Sequence, residues 1–494
     1  MTDRSIFPDP VYADTVLAPL FEGVKSAFAA HMDAVDRAHL VMLAETGILP
    51  RADAAAIARG LDAIAAEMDP AALRYDGSVE DWFFLVEREL RDRLGDLGGA
   101  LHTARSRNDI DHTVFKMALR TRAAALEAEM HDLAAAMLAT ARRERDTLIV
   151  AYTHGQPAQP STYGHYLSAA VEVLLRDLAR LADAADLLDL SPMGAAAITT
   201  SGFPIDRSRV ADLLGFERPL LNSYGCIAGV DYVTGLYSAL KLPFVHLGRL
   251  VQDMAFWSAF EVGQLRLPNA LVQVSSIMPQ KRNPVPIEHL RHLSSMTAGR
   301  CDAVVDAMRN TPFTDMNDSE GEVQLAGHAA FDGASRVARL LASVLSGARI
   351  DPARVRANMD RACVTVTELA DTLVREEKLA FRQAHAVAAA TARAVIERGV
   401  PLGAGHGAFA AAFQQATGRD AAMDEAAFAR AVDPKTFVAR RDRPGGPAPA
   451  ALGAAFAEYD AALGGLRTRR AARTDRYAAA EAERARAFAA LQED

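Results

Sequence analysis

Three long segments of this chain repeat apolar residues at alternating intervals of four and three. The first runs Leu119, Ala123, Leu126, Met130, Leu133, Met137. The second runs Leu167, Val171, Leu174, Leu178, Leu181, Ala185, Leu188. The third runs Val233, Tyr237, Leu240, Phe244, Leu247, Val251, Met254. A seam with this 3.5-residue period must bury against another helix, so the pattern predicts an all-α fold built on a bundle. No comparable run of alternating β-branched residues competes with it. Alanine-rich faces let backbones approach closely and favour helix by propensity. Helices of about 30 residues span about 45 Å, more than the width of a small domain. Their stripes are expected to complete their burial against other copies of the chain. Pro243 lies inside the third seam, where a kink or a break is expected because proline removes one ladder hydrogen bond.

The chain has 494 residues, which fits two or three domains. The periodicity divides it into an N-terminal helical part (1–112), a central long-helix part (113–363) and a C-terminal part of short helices (364–494). Half of the residues are hydrophobic, enough apolar surface to exclude a disordered chain. With 54 basic and 63 acidic residues the net charge is −9, which does not suggest a nucleic-acid or membrane binder. Cys226, Cys301 and Cys363 are odd in number and far apart, arguing against disulfides and zinc and for buried free thiols. The N-terminal stretch lacks a basic region followed by an apolar core, so no signal peptide is expected. No apolar run is long enough to span a bilayer, and a cytoplasmic location is expected. The Pro- and Gly-dense interval 433–449 predicts a loop, and the last 30 residues, rich in Arg, Ala and Glu, predict one exposed helix.

Three polar stretches interrupt the apolar pattern: HTARSRNDID (102–111), THGQPAQPSTYGH (153–165) and SSIMPQKRNPVPIEH (275–289). A bundle needs turns, but packing does not require these residues. The third stretch, S-S-x-M-P-x-K-x-N-P-x-x-x-E, resembles the signature loop of the fumarase/aspartase superfamily. The other two resemble that superfamily's remaining site segments. The wording is similar to argininosuccinate lyase in particular: HTARSRND, YTHGQPAQP, SPMGAAAITTSGFPIDR and LADTLVREEKLAFRQAH occur in order. Adenylosuccinate lyase and carboxymuconate cycloisomerase share the fold, but the SRND and PIDR wording favours the argininosuccinate branch. Some relatives are structural proteins such as lens crystallins. An inactive scaffold is expected to lose Ser275, Lys281 or His154, and all three are present.

The resemblance implies a three-domain fold and a homotetramer with a 20-helix core, each active site drawn from three chains. It implies a reversible anti β-elimination that releases fumarate and an amine, with neither metal nor organic cofactor. Removing a proton next to a carboxylate gives a dianionic aci-carboxylate, which needs preorganised donors and cations. Lys281 and Asn283 have that chemistry. Ser275 matches the family's base, and Ser276 and Met278 follow it in the loop. Loop amides and the lysine would lower the serine's pKa. His154 matches the family histidine and is expected to pair with Glu288. Thr103, Ser106, Arg107, Asn108, Thr153 and Gln156 are expected to hold the succinyl carboxylates. Arg105 either touches substrate or braces its loop. His165 and His289 are read as structural or surface residues.

Several positions depart from the family wording. Val274 stands where glycine is usual before the serine loop. TGRSRNDQ reads TARSRNDI, with Ala104 and Ile110, and the histidine of E-D-x-H is Phe83, after Glu80 and Asp81. SDRD reads AGVD at 228–231. After the loop, Asp315, Glu320 and Val323 fall where a tyrosine, a glutamine and a lysine would contact arginine. Acidic Asp315, Asp318, Glu320 and Glu322 suit a cationic amine, and the lost lysine removes a partner for an amino-acid carboxylate. The leaving amine is therefore expected to differ from arginine, as a diamine or aminocarboxylate of the kind released by lyases of ethylenediamine disuccinate. Argininosuccinate itself is the alternative substrate.

Overall fold

The computed structural model describes residues 7–493. Residues 1–6, which open the N-terminal stretch free of an apolar leader core, and residue 494 lie outside the described residues. The N-terminal helices include α1 (Ala29–Glu45), α2 (Arg51–Glu67) and α3 (Trp82–Leu94). The central part holds α4 (Arg107–Arg143), α5 (Tyr163–Asp186), α6 (Asp231–Ser258), α7 (Val285–Ala307) and α8 (Gly321–Gly347). The three apolar seams lie on α4, α5 and α6, and their residues are buried in one continuous core that α7 and α8 complete. The strands are short and pair two by two, so the fold is all-α.

Helix α6 runs unbroken through Pro243 from Asp231 to Ser258, so the expected break does not occur. The proline is itself buried in the bundle, where packing of the flanking seam offsets the lost ladder bond.

A second apolar cluster joins α1, α2 and α3 to the start of α4, through Phe28, Phe115 and Ile110 among others. A third covers residues from Cys363 to Val432. The last helix is α9 (Pro449–Ala490). It runs antiparallel to α4, placing Arg142 by Asp460, Asp132 by Arg467 and Glu127 by Arg473. Leu452, Phe456 and Leu463 enter the central core and Phe488 enters the N-terminal one. The expectation of a merely exposed terminal helix is thus corrected: α9 is 42 residues long and buries one face along the bundle. All three cysteines are free and buried. Among the described residues no helix is long and apolar enough to cross a membrane.

Candidate active site

The first polar stretch forms the entry to α4. Ala104 takes a left-handed backbone (φ 62°), a conformation that costs an L-residue roughly 1–2 kcal/mol and for which glycine is suited. Ser106 is the N-cap, and its backbone N–H donates to the Asp109 carboxylate at 2.9 Å. The other oxygen of Asp109 accepts the N–H groups of Gly194 and Ala196, both at 2.9 Å. This buried carboxylate therefore fixes the loop 192–202 to the helix entrance. Ala196, Ala197 and Thr200 in that loop also have positive φ, backbone strain of the sort that concentrates at functional sites.

Arg105 turns into the core and donates to Asp36 at 2.6 Å, with its side chain 2% exposed. It braces the loop, the second of its two expected roles. The Thr103 carbonyl meets His39 Nε2 at 2.9 Å. Burial lowers the His39 pKa to about 3, so the ring is neutral and Nε2 carries the donated proton. Arg107 already has two carboxylate partners, Asp81 and Asp111. Its guanidinium also lies over the Phe83 ring, 5.2 Å from the centroid. Asp81 caps α3 by accepting from Phe84 N at 3.1 Å, so Arg107 ties α3 to α4. Asn108 Nδ2 donates to Asp315 Oδ2 at 3.3 Å. Glu320 belongs to the same cluster, facing Asp111 and Asp315.

The second stretch is a β-hairpin, β1 (Leu148–Thr153) and β2 (Gln156–Thr162). Its two-residue turn is His154–Gly155, with φ of 55° and 72°, as a type I′ turn requires. Thr153, His154 and Gln156 are exposed at the tip. At the base, Thr162 caps α5 by accepting from His165 N at 3.0 Å. The His165 ring bridges Ser161 Oγ and the Gly445 carbonyl, the structural role expected of it.

The third stretch begins in a small antiparallel pair, β3 (Gln273–Val274) with β4 (Arg282–Asn283). Val274 lies in that strand, where a β-branched residue fits, so glycine is not needed there. Ser275 Oγ accepts from Met278 N at 3.1 Å. Met278, Lys281 and Asn283 line one cleft against the end of α6. Among the described residues the side chains of His154, Ser276, Lys281 and Glu288 form no hydrogen bond or ion pair within the chain. The expected His154–Glu288 contact is thus not made inside one chain. Val274 and Ile277 are 74% and 82% exposed, apolar side chains that await a covering surface.

These stretches occupy two different ends. Helix α4 has 37 residues and so is about 55 Å long. The first stretch begins it and the hairpin follows its end. A six-residue strand reaches back only about 20 Å, so Asn108 and His154 of one chain cannot meet. The serine loop is rooted at the hairpin end. Arg282 donates to the Leu267 carbonyl and Asn269, and neighbouring Gln264 pairs with Val150 of β1. Asp315 and Glu320 lie beyond the far end of α7, beside Asn108. One chain therefore carries Asn108, Asp315 and Glu320 at one end of the bundle, and the hairpin tip with His154 and the serine loop with Ser275, Lys281 and Asn283 as separate segments at the other.

Comparison with known proteins agrees with this fold and set of segments. A family model described as "Lyase" matches residues 23–299. A second model, described as the argininosuccinate lyase C-terminal region, matches residues 363–439. The chain belongs to the argininosuccinate lyase family of the fumarase/aspartase superfamily and is a carbon–nitrogen lyase. It is 57% identical over 492 residues to argininosuccinate lyase 2 of Agrobacterium fabrum, covering 99% of this chain and 98% of that one. A solved EDDS lyase variant with bound fumarate aligns with a TM-score of 0.85 at 28% identity, covering 98% of each chain. A class II fumarase from Schistosoma mansoni, at 15% identity and a TM-score of 0.64 over 83% of this chain and 94% of that one, shares the fold.

Asp111 is the member of this charged cluster that the sequence did not single out. It follows Arg107 by four residues, an i,i+4 pairing readable from the sequence. Asp81 was visible only as part of a departed motif.

Proposed function

We propose that this protein catalyses the reversible elimination of an amine from an N-substituted aspartate, releasing fumarate, at sites assembled from several chains of a homotetramer. The separation of Asn108 from Ser275 and His154 supports this reading, as do the His154 and Glu288 side chains left without a partner inside one chain, because no single chain brings together all the groups the chemistry needs. In the forward direction Ser275 takes the proton from the carbon next to a carboxylate. The electron pair forms the new C–C double bond, and the C–N bond breaks as the amine leaves with its electron pair. Lys281 and Asn283 stabilise the aci-carboxylate by charge and hydrogen bonding. Thr103 and Ser106, with Thr153 and Gln156 of another chain, hold the succinyl carboxylates. His154, oriented by Glu288 across a subunit boundary, lies close to the departing nitrogen. Closure of the loop bearing Ile277 and Met278 would exclude water.

The acids Asp315, Glu320 and Asp111 support an amine other than arginine, whereas the Agrobacterium relative's name favours arginine. The deciding measurement is fumarate formation, followed by ultraviolet absorbance, from argininosuccinate, adenylosuccinate, aspartate and (S,S)-ethylenediamine disuccinate. Silence on argininosuccinate with turnover of another N-substituted aspartate is expected, and rapid argininosuccinate cleavage would overturn the departure argument. Shared sites predict that mixing inactive Ser275→Ala and His154→Asn chains restores part of the activity. Confirmed mixed oligomers without any recovery would count against shared sites.

A further inference from the structure

The end of the bundle that carries Asn108 holds more carboxylates than cations. Arg107 is paired to Asp81 and, through Nη2 at 3.0 Å, to Asp111, whose side chain is 6% exposed. Asp315 and Glu320 face the same space from the segment before α8. Behind them lie Asp231 and Tyr232 from the start of α6, with Lys116 and His112 of α4 against Tyr232. Burial pushes Asp111 up to about 6, against the pull of Arg107, with Asp81 and Asp315 adding to the rise. Burial, helped by Asp111 and Asp315, pushes Glu320 up to about 7.

A second observation does not depend on charge. Asn108 is 6% exposed. Its Nδ2 donates to Asp315, yet its buried Oδ1 has no donor. Buried polar atoms left unpaired are uncommon, and each calls for a partner. The nearest charged groups of this cluster, apart from Arg107, are carboxylates that can only accept when ionised. A ligand that completes the site must bring N–H donors and positive charge. It must also lack a carboxylate at that point, since Asp111, Asp315 and Glu320 would repel one. A free ammonium group meets all three demands, whereas the ammonium of an amino acid brings a carboxylate on the adjoining carbon.

We propose that Asn108 Oδ1, Asp111, Asp315 and Glu320 receive a second, free ammonium group of the substrate, so that the amine is a diamine and Asp111 is a specificity-determining residue. This inference rests on the lyase reading above and names its amine. A cation binding here favours the ionised carboxylates. Affinity is therefore weak below the Glu320 pKa and rises as pH passes through it, about tenfold between pH 6 and 8 for one group titrating near 7.

The test uses the intact enzyme with fumarate and pairs of equal length: 1,2-diaminoethane against 2-aminoethanol, up to 1,4-diaminobutane against 4-aminobutanol. At least one diamine is expected to exceed its amino alcohol tenfold or more in kcat/KM. Asp111→Asn and, separately, Glu320→Gln should each cut that ratio about tenfold, since either removes a carboxylate while keeping the shape. Calorimetry on the Ser275→Ala enzyme with fumarate bound reads binding without turnover. In two buffers of different ionisation enthalpy, diamine binding should release protons. Equal use of amino alcohols, an unchanged ratio in both variants, or calcium chloride binding in place of the diamine would overturn the inference. Turnover of other amines without diamine preference removes this inference alone. Failure of every amine and every N-substituted aspartate removes the lyase reading as well.

Discussion

Replacing Ser275 by alanine is expected to lower kcat by about 10²–10⁴-fold while leaving the assembly intact. The structural side follows from how little the hydroxyl holds. Its one hydrogen bond accepts the Met278 N–H at 3.1 Å within an exposed turn. Losing one such bond costs about 0.5–1.5 kcal/mol at most, too little in an exposed turn to disturb the bundle. The chemical side follows from what the hydroxyl must do. A serine acts as a base only if its alkoxide is stabilised, and Lys281 is the cation in the same loop. That lysine makes no ion pair within the chain, so its charge is free for the reacting centre. Removing the hydroxyl leaves the carboxylate-binding groups in place, so KM should change much less than kcat. Fumarate progress curves with size-exclusion profiles check both halves. Near-normal turnover would remove Ser275 as the base.

The long seams of α4, α5 and α6 were legible because their burial is written as a repeat that only a helix can satisfy. Helices α7 and α8 were less so. Polar and small residues such as Ser294, Thr297, Gln324 and Gly333 are buried in them, which blurs the apolar period. The last helix misled for a related reason. An Arg-rich stretch reads as a solvated face, yet Arg473 is buried because its carboxylate partners come from α4 and α5, far away in sequence. The same limit governs the site. Loops that packing did not require stood out as a group. The bracing role of Arg105 depends on Asp36, and the bridging role of Arg107 depends partly on Asp81. No local pattern announces such pairings. Conversely, Val274 looked like a defect in the loop until its strand geometry showed that no left-handed residue was needed. Ala104 does occupy such a position.

Arg473→Met should destabilise the protein by about 3–5 kcal/mol, the usual consequence of removing one partner of a buried ion pair. Arg473 and Glu127 are 6% and 2% exposed, and Arg473 also reaches Asp186 at 2.7 Å. The substitution keeps the packing stem but strands the Glu127 carboxylate between α4 and α9. Glu127→Gln should cost less, because Arg473 retains Asp186, and the double variant should recover much of the loss. The pH dependence fixes the mechanism. Burial already raises the Glu127 pKa above its ordinary value, and Arg473 opposes that rise. Without the arginine the folded-state pKa climbs further, so the variant binds a proton on folding. The neutral acid is tolerated at low pH, and stability is lost as pH rises through the folded-state value. The gap between Arg473→Met and the natural chain should therefore be smaller at pH 5 than at pH 8, measured by denaturant unfolding at fixed protein concentration. A gap independent of pH would mean that the loss comes from packing along α9. In that case the helix would be held to α4 by its apolar stripe, Leu452, Phe456 and Leu463, with the ion pair contributing little.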